Sequence, residues 1–210
     1  MVETKKGVRD ANATKARILD AAKGEFARLG LGGARVDEIA EKAKANKRMI
    51  YHYFGNKEEL FKVVLEEAYL DIRGAELSLE LEHLAPDEAL KTLVRFTWNY
   101  YLENPAFIRL VNSENLHQAR HIAESDRLVD ASRKFTDLVG GILKRGEKDG
   151  VFRKGIDPVQ LNITIAAIGY YYLTNRFTGA ILFEREFMSK EALQERLEFN
   201  LDTVMRLVVA

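Results

Sequence analysis

The chain has no cysteine, which excludes disulfides and thiolate metal sites and suits a reducing compartment. Proline is nearly as scarce. The three that occur, Pro86, Pro105 and Pro158, fall between helix-like segments, so the chain reads as all-α. Long apolar runs are missing too. The longest, Ile163 to Leu173, is too short for a bilayer span, which takes about 20 residues. The opening MVETKKGVRDANATK lacks the apolar core of a signal peptide. The expectation is a cytoplasmic protein with no membrane partner. GxSxG, P-loop, dinucleotide and HExxH signatures are all lacking, so neither a cofactor nor enzymatic chemistry is expected. Net charge is zero and by itself selects no partner.

What is present is an apolar fraction of 47% in 210 residues, enough for a sizeable core. Charge is unevenly spread. Residues 1–60 hold 13 basic and 9 acidic side chains, whereas the remainder holds 19 and 23. A basic front and an acidic back fit a two-part nucleic-acid binder, although an excess of four over 60 residues also falls within ordinary variation.

Residues 1 to 11 read as a mobile basic arm. Asn12 or Thr14 is placed to cap a first helix with the stripe Ile18, Ala22, Phe26 and Leu29, ended by Gly30. A short helix, Val36 to Ala43, buries Val36, Ile39 and Ala40. A turn of Lys44, Ala45 and Asn46 follows, and Asn46 is a good N-cap for a second short helix, Lys47 to Tyr53. Asn56 and Glu59 resemble a capping box for a long helix ending near Glu82. Further helices are expected from about Asp87 to Pro105, Pro105 to Leu116, Ser125 to Lys148 and Pro158 to Asn175. A last one is capped by Ser189.

Two short helices joined by three residues, behind a supporting helix, make a compact unit whose second helix fits a major groove. Lys47, Arg48, Met49 and His52 would face outward, and Ile50 with Tyr53 or Phe54 inward. Lys47 and Arg48 can donate to guanine edges or phosphates, and the hydroxyls of Tyr51 and Tyr53 can reach phosphates. Lys57 starts the long helix, where charge and free backbone N–H groups favour a phosphate.

The run from residue 18 to 64 resembles the DNA-binding domain of the tetracycline-repressor (TetR) family. The pieces that carry the likeness are ILDAA at 18–22, Phe26 with Gly30, Ile39-Ala40, IYHYF at 50–54 and NKEEL at 56–60. Three positions depart from the family pattern. Lys44 stands where the turn has Gly, Arg48 where the recognition helix has a small residue, and Arg35 where Thr caps the second helix. Lys44 either avoids a positive φ or tolerates one at a cost of roughly 1 kcal/mol. Arg35 gives up a cap and offers a phosphate contact.

The resemblance implies an all-α fold: a homeodomain-like helix-turn-helix domain with its N-terminal arm over 1–56, and a helical bundle for effector binding and dimerisation over 57–210. It implies a ligand-responsive transcriptional regulator, a repressor, that binds a near-palindromic double-stranded operator as a homodimer and is released by a small-molecule effector. DNA-contacting positions are then Arg35, Lys44, Asn46, Lys47, Arg48, Met49, Tyr51, His52, Tyr53 and Lys57. The final helix and the one after Pro158 would pack against their copies. Leu161 to Leu173, apolar around most of its circumference, fits that role and equally fits a central core helix.

Aromatic and amide side chains offer effector-pocket candidates: Phe96, Trp98, Asn99, Tyr100, Phe107, Asn112, Tyr171 and Asn175. Taken singly, each fits core or interface packing at least as well. Glu114, His117 and His121 share one helical face, a pattern open to metal binding, but hydrogen-bonded or solvated histidines account for it more simply, so no metal is expected. Two further readings stay open: a helical small-molecule-binding protein whose N-terminal unit no longer reads DNA, and a protein–protein adaptor.

Overall fold

The structure, a computed structural model, describes the backbone of residues 2–210 and side chains from Asp10 onward. Ten α-helices account for the described residues: α1 (Val2–Gly33), α2 (Val36–Lys42), α3 (Lys47–Phe54), α4 (Lys57–Leu77), α5 (Pro86–Glu103), α6 (Pro105–Leu116), α7 (Asp126–Lys148), α8 (Pro158–Thr174), α9 (Arg176–Leu182) and α10 (Lys190–Val208). A 3₁₀ turn, Leu81–His83, precedes α5, and the only sheet-like pairing among these residues is one antiparallel bridge, Phe152 to Val209. The chain is all-α, as its proline pattern implies.

Three sequence expectations need correction. First, α1 begins at Val2, well before Asn12, so residues 2 to 11 are helical. Nothing between them breaks a helix, and the Thr14 hydroxyl donates back to the Asp10 carbonyl (2.8 Å) instead of capping a helix start. Second, Leu29 is exposed. The helix kinks at Gly30 (φ 68°), which only glycine adopts cheaply, and the kink puts Leu31 into the core in its place. Third, α4 stops at Leu77, not near Glu82, and α9 is an additional short helix.

The chain forms two compact units, and they divide it elsewhere than at residue 56. One comprises the chain up to Leu70 with Ala106–Leu128, the other Asp71–Pro105 with Val129–Ala210. The cut falls inside α4 because the front half of that helix belongs to the N-terminal core. Phe61 meets Phe26 edge to face at 5.0 Å, and Leu60, Val64 and Leu65 are buried with Ile18, Ala22, Ile39 and Ile50.

In the second unit α5, α7, α8 and α10 enclose Leu90, Leu93, Phe135, Val139, Ile142, Leu161, Ile165 and Val204. Gly146 lies so close to the Phe152 ring that any side chain there would overlap it. The Arg145 guanidinium donates to the carbonyls of Leu81 (2.8 Å), Glu82 (2.7 Å) and Leu84 (2.8 Å), so one side chain gathers three carbonyls of the turn before α5. Asp157 and Ser189 cap α8 and α10, accepting from Val159 N (2.7 Å) and Ala192 N (3.1 Å), as their positions imply.

Candidate nucleic-acid interface

The short helices are held from behind. Ile50 is the buried anchor of α3, and Val36, Ile39 and Ala40 are those of α2. A fully buried carboxylate, Glu25 on α1, accepts from Lys42 Nζ at 2.6 Å and from Arg28 at 3.1 Å. The Lys42 bond, followed by the Arg28 bond, overcomes the burial penalty and holds this carboxyl below the usual range. Arg17 Nε donates to the Ala43 carbonyl (3.1 Å) and fixes the end of α2 to α1. Sequence patterning marks neither Glu25 nor Arg17, because nothing in their spacing reveals a partner on another helix.

The turn resolves the question raised by Lys44. Its φ is 49°, in the left-handed region, so the strain is accepted, at a cost of about 1 kcal/mol relative to glycine. Its side chain is exposed and lines a shallow cleft with Arg17, Asp20 and Glu25 of α1. Asn46 caps α3, its Oδ1 accepting from Arg48 N at 2.9 Å. From there Lys47, Arg48, Tyr51 and His52 emerge exposed on one side of the helix, while Met49, Tyr53 and Phe54 are half-buried. Lys47 is not free: its ammonium pairs with Asp37 at 2.7 Å, and that bond raises its pKa. Tyr53 lies under the Lys15 ammonium, 5.2 Å from the ring centre, so Lys15 on α1 joins the same surface.

Arg35 takes the N-cap position of α2 with extended backbone and no side-chain cap bond, leaving it exposed. Lys57 differs from the expectation of an open phosphate ligand. It is half-buried, and its ammonium donates to the Ala34 carbonyl at 3.2 Å, bracing α4 against the α1–α2 link. Asn56 Oδ1 accepts from Glu59 N at 2.9 Å, one half of the capping box.

The effector-pocket candidates are divided between the two units. Phe107 and Asn112 lie in the first unit, where Phe107 is buried against Tyr69 (5.4 Å) and Asn112 is exposed. The other six lie in the second. There Trp98 and Tyr100 are buried, Phe96 is half-buried beside Tyr100 (5.7 Å), and Asn99 is exposed. Asn175 donates to the Tyr171 carbonyl at 3.0 Å. Tyr100 donates its hydroxyl to Asp71 Oδ2 at 2.7 Å, and burial pushes its pKa up. Of the eight, Tyr171 alone lines the cleft of about 640 Å³ between α8, α10 and the α9–α10 loop, which Tyr172, Phe187, Arg196 and Phe199 also line. Glu76 has no sequence signal at all. It is buried, and its Oε2 lies 3.1 Å from Arg73 Nε but outside hydrogen-bonding geometry.

The Glu114–His121 pair is a hydrogen-bonded unit. Glu114 accepts from the His121 backbone N (2.8 Å) and from its Nδ1 (2.6 Å), while Arg120 Nε donates to His121 Nε2 at 3.3 Å. His117 Nδ1 is 2.7 Å from the Ser113 carbonyl. Among the described residues no group of three or more His, Asp or Glu is arranged around a metal position, and no helix is long and apolar enough to cross a membrane.

Comparison with known proteins agrees over both halves. Residues 18–64 match the model of bacterial regulatory proteins of the tetR family, and residues 86–204 match the tetracyclin repressor-like C-terminal domain. The transcriptional repressor NicS of Pseudomonas putida is 37% identical over 208 residues, covering 98% of either chain. The transcriptional regulator RutR of Escherichia coli is 31% identical over 192 residues, covering 89% of each. Among solved structures, a tetR-family regulatory protein from Rhodococcus superposes with a TM-score of 0.72 at 20% identity, covering 94% of this chain and 97% of that one. The fatty acid degradation regulator FadR of Bacillus halodurans gives 0.69 at 20%, covering 91% and 94%, and both show the fold. With α3 capped by Asn46, α2 tied to α1 through Lys42 and the buried Glu25, and family matches spanning both halves, this chain belongs to the TetR family of ligand-responsive, DNA-binding transcriptional regulators.

Proposed function

We propose that the protein acts in the cytoplasm as a homodimeric repressor on a near-palindromic double-stranded operator and that a small-molecule effector releases it. The observation that carries this reading is the exposed side of α3, where Lys47, Arg48, Tyr51 and His52 stand on a short helix whose opposite side is anchored by Ile50. A helix of eight residues is the right size to enter a major groove. Arg48 and His52 read base edges. Lys47 joins them after exchanging Asp37 for DNA, and Met49 offers an apolar contact. Arg35, Lys44, Tyr51 and Tyr53 serve phosphates, and Asn46 and Lys57 act from the helix starts they hold.

Dimerisation through α8 and α10 is supported by apolar side chains left in solvent. Val159, Ile163 and Tyr171 recur at helical spacing along α8, and Phe199 projects from α10. A dimer presenting two recognition helices about 34–36 Å apart matches successive major grooves. Effector binding in the second unit would act through α4, the helix whose residues belong to both units. A 100-fold loss of operator affinity takes only about 2.7 kcal/mol of coupling.

The test is selection of bound duplexes from a random pool, then anisotropy titration of the recovered sequence across a salt series. Specific binding with a steep salt dependence, and a loss of about 1–3 kcal/mol with altered sequence preference for Arg48→Ala, is the expected result. A purified chain that ignores every duplex at low ionic strength would overturn the reading.

A further inference from the structure

The last third of the chain displays more apolar surface than α8 and α10 account for. Within α9 and the residue after it, Phe177 is 71% exposed, Ile181 77%, Leu182 75% and Phe183 61%. Scattered exposed leucines are ordinary; four large apolar side chains in seven residues form a patch of the kind that marks an interface.

This patch is not a loose loop. Tyr172 on α8 donates its hydroxyl to the Phe187 carbonyl at 2.8 Å and stacks on the Phe187 ring at 4.6 Å. Gly179 packs so tightly against that ring that a Cβ would come within 2.8 Å of it. Arg185 pairs with Glu195 on α10 at 3.2 Å. The segment from 176 to 188 is therefore fastened on its inner side to α8 and α10, and its outer side is apolar and uncovered. A fastened projection with an apolar outer side is built to be covered.

We propose that this segment is an arm that packs on a second copy of the chain, extending the contact of α8 and α10. The inference rests on the homodimer reading and adds a surface to it. Two features select a second copy over another occupant. The arm is continuous with the apolar side of α8 and α10 that the dimer would cover, through Tyr171 and Phe199, which flank the same cleft. It also carries both signs of charge, Arg185 beside Glu184 and Glu186, so two copies related by a twofold axis can meet there without like charges alone facing each other. The cleft beside it, with the Arg196 guanidinium between the Tyr172 and Phe199 rings (5.3 Å to each centre), supplies a receiving surface.

The test is sedimentation equilibrium of the full chain and of two variants, Phe177→Ser with Ile181→Ser in the arm and Ile163→Asp on α8. All three positions are exposed, so the fold of each subunit should survive, which far-ultraviolet circular dichroism checks. The expected result is dimer association weakened by about tenfold or more in the arm variant and still more in Ile163→Asp. A dimer constant within twofold of the parent for the arm variant, with Ile163→Asp disrupted, overturns the arm and leaves the dimer reading standing. An intact dimer for Ile163→Asp counts against the α8 contact instead, and a parent that stays monomeric removes both. Because the chain has no cysteine, Leu182→Cys offers one labelling site for a polarity-sensitive fluorophore. Its emission should move to the red on dilution, in step with dissociation. Emission independent of concentration overturns the proposal.

Discussion

The carboxylate of Glu25, with no exposed surface, accepts a hydrogen bond from the ammonium of Lys42 at 2.6 Å, and this contact fixes α2 against α1. Replacing the carboxylate by a carboxamide keeps the shape and removes the charge. Glu25→Gln should cost about 1–2 kcal/mol of stability at neutral pH. Because the folded carboxyl titrates below its usual range, its contribution is present above the unfolded value and is lost as pH falls through the folded one. Urea denaturation of parent and variant should therefore differ at pH 7 and converge in acid. An equal difference at pH 3 and pH 7 would show that charge is not what matters.

The pairing of Lys47 with Asp37 sets up a competition at the DNA surface. Both side chains are about half exposed, so the bond adds little stability. Its effect is on binding: Asp37 holds back a cation that DNA would attract and adds a negative charge beside phosphates. Asp37→Asn should tighten binding to all duplexes by several-fold at moderate salt and steepen the salt dependence by about one unit of slope. Anisotropy titrations from low to high salt check it. Weaker binding would mean that the ion pair positions Lys47 for reading.

How much of this was legible in the chain depends on the range of each interaction. Local signals carried the helix-turn-helix and the start of α8: Asn46 caps α3, Ile50 points inward, and Asp157 and Pro158 open α8, because each is settled within a few residues. Leu29 failed because the backbone leaves the helix at the next residue, Gly30, and Leu31 takes the buried place. The Lys57 bond and the burial of Glu25 carry no local signal, because their partners, the Ala34 carbonyl and Lys42, lie 23 and 17 residues away. The aromatic candidates share a residue type, but their packing partners, Tyr69 for Phe107 and Tyr172 for Trp98, lie 38 and 74 residues away and carry no local signal. Glu76 was invisible because its burial follows from helix packing alone.

Lys44 trades backbone ease for charge. At φ 49° it occupies a conformation that glycine adopts without steric cost. Lys44→Gly should raise stability by about 1 kcal/mol and weaken DNA binding through loss of a phosphate contact. Lys44→Ala removes the same charge while keeping a Cβ, so it should weaken binding equally without the gain in stability. Thermal melts with anisotropy on the three chains separate the two effects, and equal melting temperatures for the Gly and Ala variants would mean the turn bears no strain.

Glu76 should give the opposite pH dependence to Glu25. Burial pushes its carboxyl up to about 7, more than Arg73 pulls it back, so the folded state favours the neutral acid at a pH where the unfolded chain is ionised. Its contribution is then fully present below the unfolded value, near 4.5, and is lost as pH rises through about 7. The ionised form costs on the order of 3 kcal/mol by the end of that window. Glu76→Gln, neutral at every pH, should match the parent at pH 4.5 and exceed it in stability at pH 8. Denaturant titrations at the two pH values measure the difference directly. A parent at least as stable as the variant at pH 8 would show instead that Glu76 stays ionised and that Arg73 compensates its charge in full.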